Sequence, residues 1–250
     1  MSAEASRLES VWVGRDPGLL DEMLAFYAPL AVRVVDVCCN ERRMWKGSAW
    51  AERMIGYDID PGVCPDVICG WDKLPDADGS VDVLVYDPPH LPVAAASPKS
   101  MKRFASSFGL GLSVDADNIE TMHAPFLREA KRVLRPDGIL LAKIKDYIHN
   151  HRYQWNLEMF NGAVRDAGLT PCDLIIKRDP AAGNLRSGRW EKAHHARNVH
   201  CYWAVVRKGR CEPAKSVGDA RQKKKFCIDC DDDPWIDGHT EAVTAAQEKP

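Results

Sequence analysis

The stretch Val81–Pro92 reads Val-Asp-Val-Leu-Val-Tyr-Asp-Pro-Pro-His-Leu-Pro, and it restricts the fold more than any other. Val81, Val83, Leu84 and Val85 are apolar and β-favouring, which predicts a buried central strand. Pro88 and Pro89 must end it, because proline has no N–H to give to a sheet ladder. A carboxylate, Asp87, is therefore held where a strand stops at a rigid turn. In open α/β sheets that carboxyl edge is where ligands bind.

The flanking sequence fits an alternating α/β plan. Val32–Val37, Met54–Ile59 and Val67–Cys69 predict three earlier strands, with Asp36, Asp58 and Asp72 at or just after their ends. Ile139–Ile144 predicts a fifth strand, and Pro171–Lys177 and His200–Arg207 a closing antiparallel pair. Apolar residues at helical spacing predict a helix through Leu19–Tyr27, opened by Asp16-Pro17 with Asp16 as its cap. Two more helices are expected over Ile119–Leu134 and Trp155–Ala167, and a turn at Arg135-Pro136-Asp137-Gly138. Ser10–Pro17 reads as a short entry segment, and Tyr147–Trp155 as polar and aromatic. Leu91–Asn118 shows no period, and loops of that length are often functional.

Residues 1–9 are expected to be a flexible N-terminus, 10–208 one domain, and 209–250 a polar, disordered tail. The chain of 250 residues is long enough for one substantial core. Its formal charge of −2 excludes a polycation, so nucleic acid would have to be held by local basic patches. Lys102 and Arg103 in the long loop, and Arg186, Arg189 and Arg197 in the segment before the last strand, are the candidates. No apolar run approaches the roughly 20 residues that span a membrane. The start is short and polar, without a secretory apolar core. Nine cysteines, most of them in apolar runs or beside strand ends, suggest reduced thiols and a cytoplasmic location.

Three acids in series along one sheet edge suit an adenosyl group. Each alone could equally cap the element that follows it. Asp58 lies about 20 residues after the first loop, the spacing of an acid on ribose hydroxyls. Asp-Pro-Pro before a ring residue suits methylation of an amine conjugated to a base. The lone pair of such an amine is delocalised into the ring. Asp87 and the Pro88 carbonyl can accept its two hydrogens and localise that pair.

On these residues the chain resembles class I S-adenosylmethionine-dependent methyltransferases, and is similar to the DNA amino-methyltransferase-like proteins of phages and bacteria. The resemblance spans most of residues 10–208. It rests on Trp12-Val13-Gly14-Arg15-Asp16-Pro17, Asp36-Val37-Cys38-Cys39-Asn40, Gly56-Tyr57-Asp58-Ile59-Asp60 and Asp87-Pro88-Pro89-His90. Further support comes from Met44-Trp45-Lys46-Gly47, Arg132–Gly138, Lys143-Ile144-Lys145-Asp146 with Arg152-Tyr153-Gln154-Trp155, and His194-His195-Ala196-Arg197 with His200-Cys201-Tyr202-Trp203.

The resemblance implies a Rossmann-like fold: a mostly parallel seven-stranded sheet, an antiparallel last strand and helices on both faces. It implies S-adenosyl-L-methionine as cofactor, held by Trp12, Asp36, Val37, Cys38, Asn40, Asp58, Ile59 and Asp72. It implies a catalytic Asp87-Pro88-Pro89-His90 acting on adenine N6 or cytosine N4 in DNA, with the base extruded from the duplex. An RNA base methylase and an inactive nucleic-acid-binding module are the alternatives.

Two departures stand out. The first loop has Cys38-Cys39-Asn40 in place of the usual glycines, and His90 stands where an aromatic ring is usual. His194, His195 and His200 lack the spacing of a metal site, and Cys227-Ile-Asp-Cys230 lacks a second ligand pair, so no metal is expected.

Overall fold

The computed structural model describes residues 8–90, 116–149, 151–178, 195–196 and 198–211. The candidate nucleic-acid contacts Lys102, Arg103, Arg186, Arg189 and Arg197 lie outside them, as do His194, Cys227 and Cys230.

The strands are β1 (Val11–Val13), β2 (Val34–Asp36), β3 (Ile55–Asp58), β4 (Val67–Ile68), β5 (Val81–Tyr86), β6 (Leu134–Ile144), β7 (Tyr147–His149), β8 (Arg152–Gln154), β9 (Thr170–Arg178) and β10 (His200–Arg207). The helices are α1 (Asp16–Tyr27), α2 (Ala116–Val133) and α3 (Asn156–Asp166). The main sheet has the order β1-β9-β10-β6-β5-β2-β3-β4. β10 runs antiparallel to both β6 and β9, and the remaining pairings are parallel. The fold is thus a doubly wound, mostly parallel α/β sheet of the Rossmann-like kind.

Alternation along β5 builds two cores. Leu84 and Tyr86 join Phe126, Leu127, Ala130, Val133, Phe160 and Val164 of α2 and α3 on one face. Val83 and Val85 meet Leu19, Leu20, Met23 and Leu24 of α1 on the other. A strand buried on both faces reads as an apolar run because neither side meets water. Helices therefore cover both faces, as expected.

Among the described residues the sheet has eight strands, where seven were expected. The extra one is β1, which lies in the expected entry segment and pairs in parallel with the edge of β9, Val11 opposite Ile176 and Val13 opposite Arg178. The expected turn at 135–138 lies inside β6. There the ladder with β5 jumps, from Val81 opposite Leu134 to Val83 opposite Ile139. Asp137 takes a left-handed φ of 63°, and its N–H donates to the Lys208 carbonyl at 2.8 Å. Arg132 fixes the neighbouring loop by donating to the Leu74 and Asp76 carbonyls. The aromatic stretch after β6 forms a separate β7–β8 hairpin.

Candidate active site

The carboxyl ends of β2, β3 and β5 bring Asp36, Asp58 and Asp87 to one edge, as the strand pattern requires. Their environments then give them different work.

Asp36 is fully buried. Its Oδ1 accepts from the Cys38 N–H at 3.0 Å and its Oδ2 from Trp45 Nε1 at 2.7 Å. Burial pushes its carboxyl up to about 7, with those two donors opposing. Both oxygens are committed to the protein, so Asp36 shapes the first loop. It is not among the residues that line the clefts described below.

Asp58 Oδ2 accepts from the Asn40 N–H at 2.8 Å, and its Oδ1 from the Asp60 N–H at 3.0 Å. The first loop is thereby tied across to β3. Asn40 adopts a φ of 45° there. Asparagine tolerates that left-handed geometry better than most residues, which is how a loop without glycines makes its turn. The glycine it needs is on the opposing strand: a Cβ at Gly56 would sit 2.8 Å from Cys39 Sγ.

A narrow cleft opens between these strand ends. Val37, Cys38, Asn40, Asp58, Ile59 and Trp71 line it, with Asp87 and Pro89 at one end. Burial and the surrounding carboxylates push the Cys38 thiol well above its ordinary value. It stays a thiol and is not a nucleophile. Its walls offer apolar surface together with two carboxylates, Asp58 and Asp87.

Asp87 closes that cleft and opens a second, roomier one of about 260 Å³, lined by Arg15, Asp16, Pro17, Arg43, Met44, Lys143 and Lys177. Lys143, near the end of β6, places Nζ 3.1 Å from Asp87 Oδ2 and 3.2 Å from Asp16 Oδ2. Lys177, near the end of β9, also lies 3.2 Å from Asp16 Oδ2. Burial alone would raise the Asp87 carboxyl. The Lys143 ammonium and His90 outweigh it and hold Asp87 well below the usual carboxylate range. Lys143 is raised in turn by Asp87 and Asp16, against its own burial.

His90 Nε2 is 2.9 Å from Asp87 Oδ1. The approach lies off hydrogen-bond alignment, so both buried ring nitrogens lack an aligned partner. The contact is a close electrostatic one, and it turns the ring toward the carboxylate.

Behind the turn runs a buried polar chain. Tyr86 Oη meets His123 Nδ1 at 3.3 Å, and His123 Nε2 meets Asn156 Oδ1 at 3.1 Å. Asn156 Nδ2 donates to the Lys145 carbonyl, which leaves its oxygen to accept from a His123 Nε2–H. Burial holds His123 down to about 4, so its ring is neutral at neutral pH. Tyr86 also stacks on Phe126 with ring centroids 3.9 Å apart. This packing fixes the residue immediately before Asp87.

Several expected residues fall elsewhere. The Trp12 indole donates to the Arg15 carbonyl and packs over Gly14 and Gly18 at the start of α1, and it lines neither cleft itself. Asp72 is exposed and lines neither cleft. Asp16 is not a helix cap: Arg15 holds that position, without a side-chain cap bond. The two lysines claim the Asp16 carboxylate instead. His200 pairs with Tyr202 Oη at 3.0 Å, and His195 Nε2 meets the His151 carbonyl at 2.9 Å. The described cysteines are free thiols.

Asp16, Lys143, Lys177, Trp71 and His123 were not expected at the site. The available signal was a lysine near the end of an otherwise apolar strand, as in Leu140-Leu141-Ala142-Lys143-Ile144 and Leu174-Ile175-Ile176-Lys177.

Neither a protein-family model nor a curated protein matches the sequence. Solved structures resemble it at low identity. One is the Burkholderia thailandensis 1,6-didemethyltoxoflavin-N1-methyltransferase with S-adenosylhomocysteine bound, at 14% identity and a TM-score of 0.45, covering 76% of each chain. A SAM-dependent methyltransferase from Methanosarcina mazei is similar at 10% identity and a TM-score of 0.44, over 73% of this chain and 94% of that one. The [4+2]-cyclase SpnF is similar at 15% identity and a TM-score of 0.45, over 76% and 80%.

Proposed function

We propose that the protein transfers the methyl group of S-adenosylmethionine to an exocyclic amino group of a nucleobase, adenine N6 or cytosine N4 in DNA. One observation carries this reading: Asp87 belongs to the walls of both clefts. A ligand in the Asp58 cleft and a ligand in the Lys143 cleft would meet at that carboxylate.

The lining of the Asp58 cleft offers the chemistry that the nucleoside part of the cofactor needs. Trp71 and Ile59 offer flat and apolar surface, and Asp58 offers a carboxylate to ribose hydroxyls. When bound, S-adenosylmethionine supplies an electrophilic methyl group. The chain's own contribution is to hold the acceptor.

Asp87 stays ionised beside Lys143, so it can only accept hydrogen bonds. A carboxylate has about four lone-pair sites, and Lys143 and His90 approach one oxygen each. The remaining sites can take an amine hydrogen, with the Pro88 carbonyl taking the other. That draws the nitrogen toward a pyramidal shape and frees its lone pair. As the nitrogen gained the methyl group, the methyl–sulfur bond would break and the cofactor would leave as neutral S-adenosylhomocysteine; the surplus proton on nitrogen would pass to solvent, because Lys143 keeps Asp87 a weak base.

Mass spectrometry of nucleosides from host DNA, with and without the protein, tests the reading. A new methylated adenine or cytosine is expected. Asp87→Ala should abolish it while leaving S-adenosylmethionine binding largely intact. Methylation at the wild-type level by that variant would overturn the mechanism, and methylation of RNA alone would move the acceptor to RNA.

A further inference from the structure

We propose that the β7–β8 hairpin and the Trp155 that follows it form a stacking platform for an unpaired stretch of nucleic acid. The inference deepens the acceptor part of the proposed function and rests on it. β6 delivers the chain to the carboxyl edge of the sheet, the edge that holds Asp87, and the hairpin begins three residues after Ile144.

The platform is firmly held. Asp146 Oδ2 accepts from Tyr153 Oη at 3.1 Å, and its Oδ1 accepts from the Leu157 N–H at 2.9 Å. The Asp146 carbonyl accepts from Asn198 Nδ2 at 2.8 Å, and His195 bonds the tip at the His151 carbonyl. Yet Trp155 is 62% exposed and Ile148 39%. The Tyr153 ring supports the indole edge-on, with centroids 4.9 Å apart. By contrast, Trp45 and Trp203 are fully buried. A rigid mount with an exposed indole is a binding surface more than a packing solution.

Its chemistry selects the occupant. Residues 151–155 contain His151 and Arg152 and no aspartate or glutamate. Arg152 and His151 are exposed. Asp146, just before the hairpin, is buried and bonded inward. Glu158, one turn into α3, is the nearby exposed acid. Aromatic faces beside the Arg152 guanidinium, with little negative charge, suit stacked bases on a phosphate backbone.

Fluorescence anisotropy of the full-length protein with labelled single-stranded and duplex oligonucleotides tests the platform. Trp155→Ala should weaken single-strand binding about tenfold, and Trp155→Phe should retain most of it. Arg152→Ala should weaken binding and lower the salt slope by about one unit. Thermal melts should be unchanged, since both side chains are exposed. Wild-type binding by both Trp155→Ala and Arg152→Ala would overturn the platform, as would a wild-type protein that binds no oligonucleotide. Methyl transfer from labelled cofactor is scored separately. Oligonucleotide binding without transfer leaves the platform standing and removes the reaction. Cofactor binding without oligonucleotide binding removes the platform and the nucleic-acid acceptor.

Discussion

Lys143 Nζ lies 3.1 Å from Asp87 Oδ2, and the two residues come from the carboxyl ends of adjacent strands. The pairing decides the charge of the central carboxylate. A carboxyl held below its ordinary value contributes stability that is fully present above that value, about 4. The contribution is lost only as pH falls through the lowered one. Asp87 should therefore stay ionised at every pH above about 4. In Lys143→Met, burial acts without its main opponent, and the carboxyl should rise above the ordinary range. Thermal melts from about pH 4 to pH 8 should then show a new pH dependence in the variant. Superimposable curves for variant and wild type would refute the pairing's role.

Asp58 should control cofactor affinity. Its carboxylate accepts two backbone N–H bonds and lines the cleft. Bonds to a charged acceptor are worth about 1.5–3 kcal/mol each. Asp58→Ala should weaken S-adenosylmethionine binding about tenfold or more by calorimetry. Unchanged affinity would remove Asp58 from the site.

Asp16 should matter to stability far more than its neighbour Arg43. Asp16 is the shared counter-ion of Lys143 and Lys177, and all three side chains are largely buried. Removing one partner of a buried pair costs about 3–5 kcal/mol. Asp16→Asn should approach that loss in chemical denaturation. Arg43 is 82% exposed, and its pairing with Glu41 is a surface contact. Arg43→Ala should leave the midpoint nearly unchanged.

Asp36 should impose the opposite pH trend. Its folded carboxyl titrates at about 7, well above the ordinary value. Between about pH 4 and pH 7 the folded state binds a proton that the unfolded state has lost, so stability falls as pH rises through that window. Asp36→Asn should flatten this part of the curve of melting temperature against pH. A slope unchanged from wild type would show that Asp36 is ionised when folded.

The strand with sharp chemical borders was legible to the residue. β5 spans Val81–Tyr86 because its interior is apolar on both faces and the proline pair ends its ladder. β1 was not legible. Val11 and Val13 are exposed and Trp12 only partly buried, so three residues carry no periodic signal. Their pairing with β9 is set by contacts distant in sequence. The same distance hid the site's cations. Asp16 looks like a helix cap because its local setting, before a proline, is right for one. Only the arrival of Lys143 and Lys177 gives its carboxylate other work. Asp36 shows the converse: its place in the series of acids is correct, but Trp45 turns it inward.

The β1–β9 pairing also sets an order of events on the ribosome. Val11 and Asp16 emerge early, but their partners Ile176 and Lys177 are made near the end of the domain. The two clefts cannot both be complete until then. The nascent chain can form the neighbouring strands β2 to β5 while one cleft still lacks a wall, and that wall arrives with the last edge to dock.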